Sequence, residues 1–449
     1  MDIDQQTFRF GTAPGGLPVL GHIGQLLVRP LKFLTELPAY GDLVEIKLGT
    51  RPALVLCHPE LTREALRRAD VFDKGGPFYE RGREVIADGL GTCPYHAHAR
   101  QRRMTQPAFH RQRMAGYAAI MGDQTAAAID EWCDGAVIDT RAAMLDVTCR
   151  TVAATLFTSV VVTDPAEVIR DEMEPLLRGL LLEMLLPAAI RKLPLFNRRF
   201  HRAHQRIDQA VQDVVASYQR AGIDHGDLLS TLIAARDTDG SGLDESELCD
   251  QISTFLMGGI ETTAATLTWA LYLLGTYPEV QRRVAAEVDT VLDGRPPSYD
   301  DLPALGFTGR VLTETLRLHP PGWFTTREVT TATTLAGHDL RPGDTVLFSP
   351  YLHHHQASYY PDPERFDPDR WLPERSDSSR SAYVPFGGGP RKCIGDVFAM
   401  TEATIALASI AQRWHLESLS RARPQRGVVQ WPHRTTMRLH RRRVVPGLT

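Results

Sequence analysis

The sequence predicts a mainly α-helical fold with small β-sheets, built as one domain. Three features predict it: apolar residues at helical spacing from Pro59 to about Leu292, a two-strand hairpin signal ahead of that run, and β-branched residues broken by glycine and proline beyond it. Of the 449 residues, 43% are hydrophobic and 23% charged, the proportions of a globular chain that buries a sizeable core. A formal net charge of −4 excludes the basic excess that a nucleic-acid binder needs to neutralise phosphates.

Pro14-Gly15-Gly16-Leu17-Pro18 is a stiff, turn-rich lead-in. Leu43–Leu48 and Ala53–Cys57 read as strands joined through Gly49-Thr50-Arg51-Pro52, which completes a first part over residues 1–58. The helical part covers 59–329. Within it, Asp244 and Glu247 form a capping box at the start of a long, largely buried helix that reaches Gly275. Pro278, a face of Val280, Val284, Val288 and Val291, and Gly294 just past the end mark the next helix. Another spans about Gly306–Leu318 and stops before Pro320-Pro321. Residues 330–449 turn to strands over Thr330–Phe348, a meander rich in Pro and Asp from Pro361 to Trp371, and a final helix after Cys393.

Two apolar stretches, Leu176–Ile190 and Thr262–Tyr277, fall short of the roughly 20 residues a membrane span requires, so no transmembrane anchor is expected. Met1-Asp2-Ile3-Asp4 has no signal-peptide character, and a cytoplasmic protein is expected. The six cysteines (57, 93, 133, 149, 249 and 393) include no CxxC, which excludes zinc-ribbon and redox-motif spacing and fits a reducing compartment.

Chemistry concentrates in Phe386-Gly387-Gly388-Gly389-Pro390-Arg391-Lys392-Cys393-Ile394-Gly395. A thiolate is a soft metal ligand and an electron donor. Glycines ahead of it let the backbone lie close over a flat cofactor, and a helix starting just after it turns its positive end toward the sulfur. Arg391 is placed to pair with a carboxylate of such a cofactor. Taken alone, the segment also reads as a glycine-rich loop around a buried cysteine. A phosphate loop is excluded by the missing Gly-Lys-Ser/Thr ending.

The segment resembles the cysteine-ligand signature of the cytochrome P450 family, and the resemblance runs over nearly the whole chain. It implies a triangular prism of helices around a buried haem b, with iron held by Cys393 and Phe386 packed beside it. In Gly258-Gly259-Ile260-Glu261-Thr262-Thr263, it implies that Thr262 and Glu261 serve oxygen activation and proton supply. A close helix contact, with Thr262 bonded back to its own helix, is the alternative there. The family usually has Ala where Gly258 stands. The resemblance also implies that His98, Arg102, Arg327 and Arg391 hold the haem propionates. Glu314, Arg317 and Arg370 would lock the core around the cysteine loop. The substrate pocket is implied to draw on Phe78, Leu181, Met184, Phe255, Gly259, Trp323, Phe324, Val429 and Gln430.

These pocket residues are nearly all apolar, which suits a compact hydrocarbon. Within the family the sequence is similar to bacterial sesquiterpene oxygenases, implying oxidation of a methyl group to alcohol and aldehyde in terpenoid antibiotic biosynthesis. Fatty-acid or macrolide hydroxylation is the alternative; a haem-thiolate isomerase or a haem-binding sensor comes after those. No flavin or iron–sulfur segment is present, so electrons are expected from a separate ferredoxin or flavodoxin with its reductase. Arg100, Arg102, Arg103, Arg111, Arg113 and Lys392 form an expected face for that acidic partner. His353-His354-His355 diverge too much for one metal ion and are expected to be solvated or packed in the core. Asp237-Thr238-Asp239-Gly240-Ser241-Gly242 lacks the final Glu of a calcium loop and is expected to be a linker between helices.

Overall fold

The computed structural model describes residues 7–157, 165–185, 196–375, 377–425 and 427–442. Its contacts group into two units, each drawn from separate stretches of chain: residues 1–80, 94–96 and 316–393 in the first, and 81–93, 97–315 and 394–449 in the second.

The first unit is built on a six-stranded sheet in the spatial order Phe10–Thr12, Leu43–Leu48, Arg51–Leu56, Thr345–Phe348, Thr325–Val329 and Phe72–Asp73. The predicted hairpin is present, with Leu43 opposite Leu56 and Leu48 opposite Arg51. Its second strand starts earlier than Ala53 and takes in Pro52, which lies beyond the parallel ladder that begins at Ala53 and Thr345. At that end Pro52 meets one neighbour only, so its missing N–H breaks no second ladder. Period-two alternation sends Leu43, Leu54 and Leu56 into one core with Leu61, Leu66, Phe72 and Phe348, and Val44, Ile46 and Val55 into another with Phe33, Leu34 and Leu37. The Thr330–Phe348 stretch divides into a small hairpin, Thr333–Leu335 with His338–Leu340, and the sheet strand Thr345–Phe348. Ala336 and Gly337 turn that hairpin, both at positive φ.

The second unit is helical. Its axis is Glu245–Thr276, a helix of 32 residues whose N-cap Asp244 forms the predicted capping box with Glu247. From Ile260 to Leu274 nearly every side chain of this helix is buried, as expected of a helix apolar all round. Thr140–Leu156, Arg198–Ala221 and the final helix Asp396–Arg413 pack against it, and Pro165–Leu185 packs on the first two of these. Pro278–Leu292 buries Val280, Val284, Val288 and Leu292; it ends at Asp293, in the left-handed region, one residue before Gly294. Val137–Asp139, Thr436–Arg441 and Trp414–Ser418 form a three-stranded sheet, and Arg423–Gln425 pairs with Trp431–His433. The strand Val137–Asp139 is too short to show a period in sequence. No helix among the described residues is long and apolar enough to cross a membrane.

Candidate active site

In the first unit the cysteine loop is fixed by its backbone. Gly387 and Gly389 sit at φ +68° and +63°, where a side chain is strained. A Cβ on Gly389 would also fall 2.1 Å from the Leu66 carbonyl oxygen. The Cys393 amide donates to the Phe386 carbonyl at 3.0 Å, closing the loop on itself. Cys393 is exposed, and the final helix starts three residues on, at Asp396. Three other cysteines differ: burial pushes the Cys57 thiol up, that of Cys149 up to about 12 and that of Cys249 up to about 11.

The meander in the same unit is held by side chains. Arg317, fully buried, donates to the carbonyls of His354 (2.9 Å), Pro363 (2.7 Å) and Arg365 (3.1 Å). Arg370 donates to the Pro361 carbonyl at 2.9 Å. These two arginines replace regular secondary structure with side-chain donors to irregular backbone. The three histidines are core residues rather than solvated ones. His353 Nε2 meets Thr62 Oγ1 at 2.8 Å, His354 Nε2 accepts from the Val384 amide at 3.0 Å, and His355 Nδ1 meets the Tyr351 carbonyl at 2.8 Å. Burial holds all three far below the usual imidazole range, His353 and His355 at about 3.

Arg391 is buried and ion-paired to Asp73 at 2.6 Å. The other oxygen of Asp73 accepts from the Tyr95 amide at 2.7 Å, at the first residue of the helix Tyr95–Thr105. Arg327, also buried, donates to the Tyr79 hydroxyl at 3.0 Å and to the Thr326 carbonyl at 2.7 Å. Burial alone would raise the Tyr79 phenol, but the charges of Arg327 and Lys74 and the hydrogen bonds to Thr325 and Arg327 bring it below its ordinary value. Three expected pocket residues come together here: Phe78 meets Phe324 edge-on at 5.6 Å, and Phe324 lies 4.3 Å from Trp323.

In the second unit, Glu261 and Thr262 are neighbours with different partners. The Thr262 hydroxyl donates to the Gly258 carbonyl at 2.6 Å, one turn back. Glu261 is buried and accepts from the Trp431 indole N–H at 3.1 Å. Burial raises its carboxyl to about 7, against the opposing pull of the Trp431 hydrogen bond and the Arg141 charge. Arg141 lies over the Trp431 ring, 4.4 Å from its centre. Of the two glycines, Gly259 is the packing one: a Cβ there would come 3.2 Å from Val152 Cγ2, whereas one on Gly258 would meet nothing within 4 Å. Gly259, expected in the pocket, therefore lies against the Thr140–Leu156 helix.

Phe255 is buried edge-on to Phe109 at 5.1 Å. Val429 and Gln430 are buried in the turn before Trp431, and the Gln430 carbonyl accepts from the Trp269 indole at 3.0 Å. His98 is buried, and Arg102 Nε donates to Gln106 at 2.8 Å. Leu181 and Met184 fall in the helix Pro165–Leu185, but their side chains lie outside the described residues. Part of the expected basic face is neutralised internally: Arg103 pairs with Asp237 at 3.0 Å, and Arg100 with Glu247 and Asp237. The Asp237–Gly242 loop thus serves as an anchor for two arginines. Sequence reasoning missed Asp73, Tyr79, Arg141 and Trp431. Each acts through a partner far along the chain, and none stands in a motif.

The chain matches the family described as Cytochrome P450 over residues 12–433. It is 44% identical to pentalenene oxygenase of Streptomyces avermitilis over 99% of its own length and all of that protein. It is 46% identical to cyclooctat-9-en-7-ol 5-monooxygenase of Streptomyces melanosporofaciens, covering 90% of this chain and 89% of that one. With cyclooctatin synthase of the same organism the identity is 44%, over 95% of each.

Proposed function

The chain belongs to the cytochrome P450 family and is a haem-thiolate monooxygenase, and from that premise we propose that it oxidises a compact terpene hydrocarbon, with pentalenene the first candidate. The reaction is oxidation of one methyl group, to alcohol and then to aldehyde, within the biosynthesis of a terpenoid antibiotic. What carries this reading is the chemistry of the residues assigned to substrate. Phe78, Trp323, Phe324, Phe255 and Val429 bear no charge and offer no anchor for a carboxylate. Pentalenene oxygenase, similar along the whole chain, is named for such a hydrocarbon.

The residues present suit haem b. Cys393 is an exposed thiol in a loop with Gly387 and Gly389 at positive φ and no room for a Cβ at Gly389, and it would ligate the iron. Arg391, His98, Arg102 and Arg327 would hold the propionates, since buried carboxylates need cationic or donor partners, and Phe386 would pack beside the ring. When bound, haem supplies oxygen activation, which a thiolate ligand favours. Glu261, raised to about 7, shares its population between acid and carboxylate near neutral pH, so it can take up a proton and release it. Thr262 carries a hydroxyl that can leave the Gly258 carbonyl to donate elsewhere.

Electrons come from a ferredoxin or flavodoxin with its reductase. Arg111, exposed, belongs to the docking face, and reversing its charge should slow reduction at low salt. A cytoplasmic location is supported by six free cysteines, the pattern of a reducing compartment. The substrate test is spectroscopic. Pentalenene should shift the Soret band of the purified holoenzyme from low to high spin, and turnover should yield the alcohol and aldehyde. A shift with a fatty acid or a macrolide, and none with pentalenene, would replace the reading.

A further inference from the structure

We propose that Trp431 is a positioning residue for the proton-supplying carboxyl, holding Glu261 from the turn that also carries Val429 and Gln430. The proposal rests on the reading of Glu261 as a proton source. Three contacts within the second unit carry it. The Trp431 indole N–H donates to Glu261 Oε1 at 3.1 Å. Arg141 covers the Trp431 ring at 4.4 Å and donates to Gln425 at 3.3 Å, and Gln425 stands opposite Trp431 in the strand pair Arg423–Gln425 with Trp431–His433. The adjacent Gln430 carbonyl takes the Trp269 indole N–H at 3.0 Å, so a second indole bond ties the same turn to the same helix, two turns along. A turn pinned twice cannot drift along the helix. The N–H that meets Glu261 is thereby set in place before any substrate arrives.

The electrostatics fit this role. Burial drives Glu261 toward the protonated form, and the indole hydrogen bond opposes it by favouring the carboxylate. Among the described residues the charged group acting on Glu261 is Arg141, from Thr140–Leu156; Arg141 in turn feels Glu174 and Arg178 of Pro165–Leu185 and Asp139 at its own helix start. Glu402, on the final helix, is fully buried, and burial raises its carboxyl well above the ordinary value. A donor that shifts a carboxyl without carrying charge tunes when the proton is released and leaves the apolar surroundings unchanged.

The test compares holoenzymes carrying Trp431→Phe, which leaves an aromatic ring for Arg141 to cover but removes the donor, and Glu261→Gln. In the substrate-free proteins, the infrared band of the protonated carboxyl that Glu261→Gln abolishes should titrate at higher pH in Trp431→Phe, by about one pH unit. With pentalenene and a ferredoxin–reductase pair, the pH profile of product formed per electron should move upward by the same interval. Trp431→Phe should also release several-fold more peroxide, with an unaltered Soret band. If the Glu261 band titrates at the same pH in both Trp431→Phe and the parent, the positioning role is overturned. If Glu261→Gln leaves the yield per electron unchanged at every pH, the reading of Glu261 itself fails, and the proposal with it.

Discussion

Around Cys393 the chain is held by its own backbone; around Glu261 it is held by side chains from distant parts of the sequence. The cysteine loop closes through the amide of Cys393 on the carbonyl of Phe386, with two glycines in conformations that other residues avoid. Glu261 instead depends on an indole 170 residues away and on a guanidinium stacked upon it. A site fixed by backbone tolerates few sequences and leaves a motif. A site fixed by side chains tolerates substitution, can be retuned, and leaves none. The rigid arrangement suits a metal ligand that must not move, and the adjustable one suits a proton whose release must be timed.

Five substitutions probe that contrast. Cys393→Ser has the largest expected effect: the reduced, carbon-monoxide-treated protein should lose its band at about 450 nm and all turnover. A variant that kept the band would show that the loop is not the iron's anchor. Arg317→Met comes next, because three carbonyls lose a buried donor at once. Urea unfolding should show a loss of about 3 kcal/mol or more.

Glu261→Gln should act through pH. The folded carboxyl is raised from 4.5 to about 7, so its contribution to stability is fully present below 4.5 and is lost as pH rises through about 7. Removing the group should flatten the stability curve across that window by about 3 kcal/mol, measured by urea unfolding at pH 5 and pH 8. The smallest effect separates two adjacent glycines. Gly258→Ala should raise stability by about 1 kcal/mol, since the added methyl meets nothing. Gly259→Ala should gain little or lose, because its methyl presses on Val152; equal thermal shifts for the two would contradict the helix contact.

The same contrast explains what could be read in advance. Asp244 with Glu247, the valine face after Pro278 and the helix ending at Leu318 are local patterns, and they stand where the sequence placed them. The glycine loop was legible because its spacing is dictated by backbone geometry. Asp73 was not: its role comes from meeting Arg391, 318 residues away, and the Tyr95 amide, and nothing next to it in sequence announces either. Trp431 and Arg141 escaped for the same reason. The basic run was legible as charge but not as a free face, since Asp237 and Glu247, from a loop and a cap far along the chain, take up Arg100 and Arg103. Gly258-Gly259 looked like one feature and is two, because a helix turns by about 100° per residue and sends neighbours to different surroundings.

The histidine run carries a liability of its own. The unfolded chain takes up protons at all three positions as pH falls through 6.5, while the folded one refuses them until far lower, with His353 and His355 waiting until about 3. Stability is therefore intact above 6.5 and drains away on acidification, by up to about 4 kcal/mol for each pH unit when three sites act together. An enzyme so built is acid-fragile by construction. Its tolerance of mildly acidic conditions should depend less on any surface charge than on three imidazoles sealed in the core.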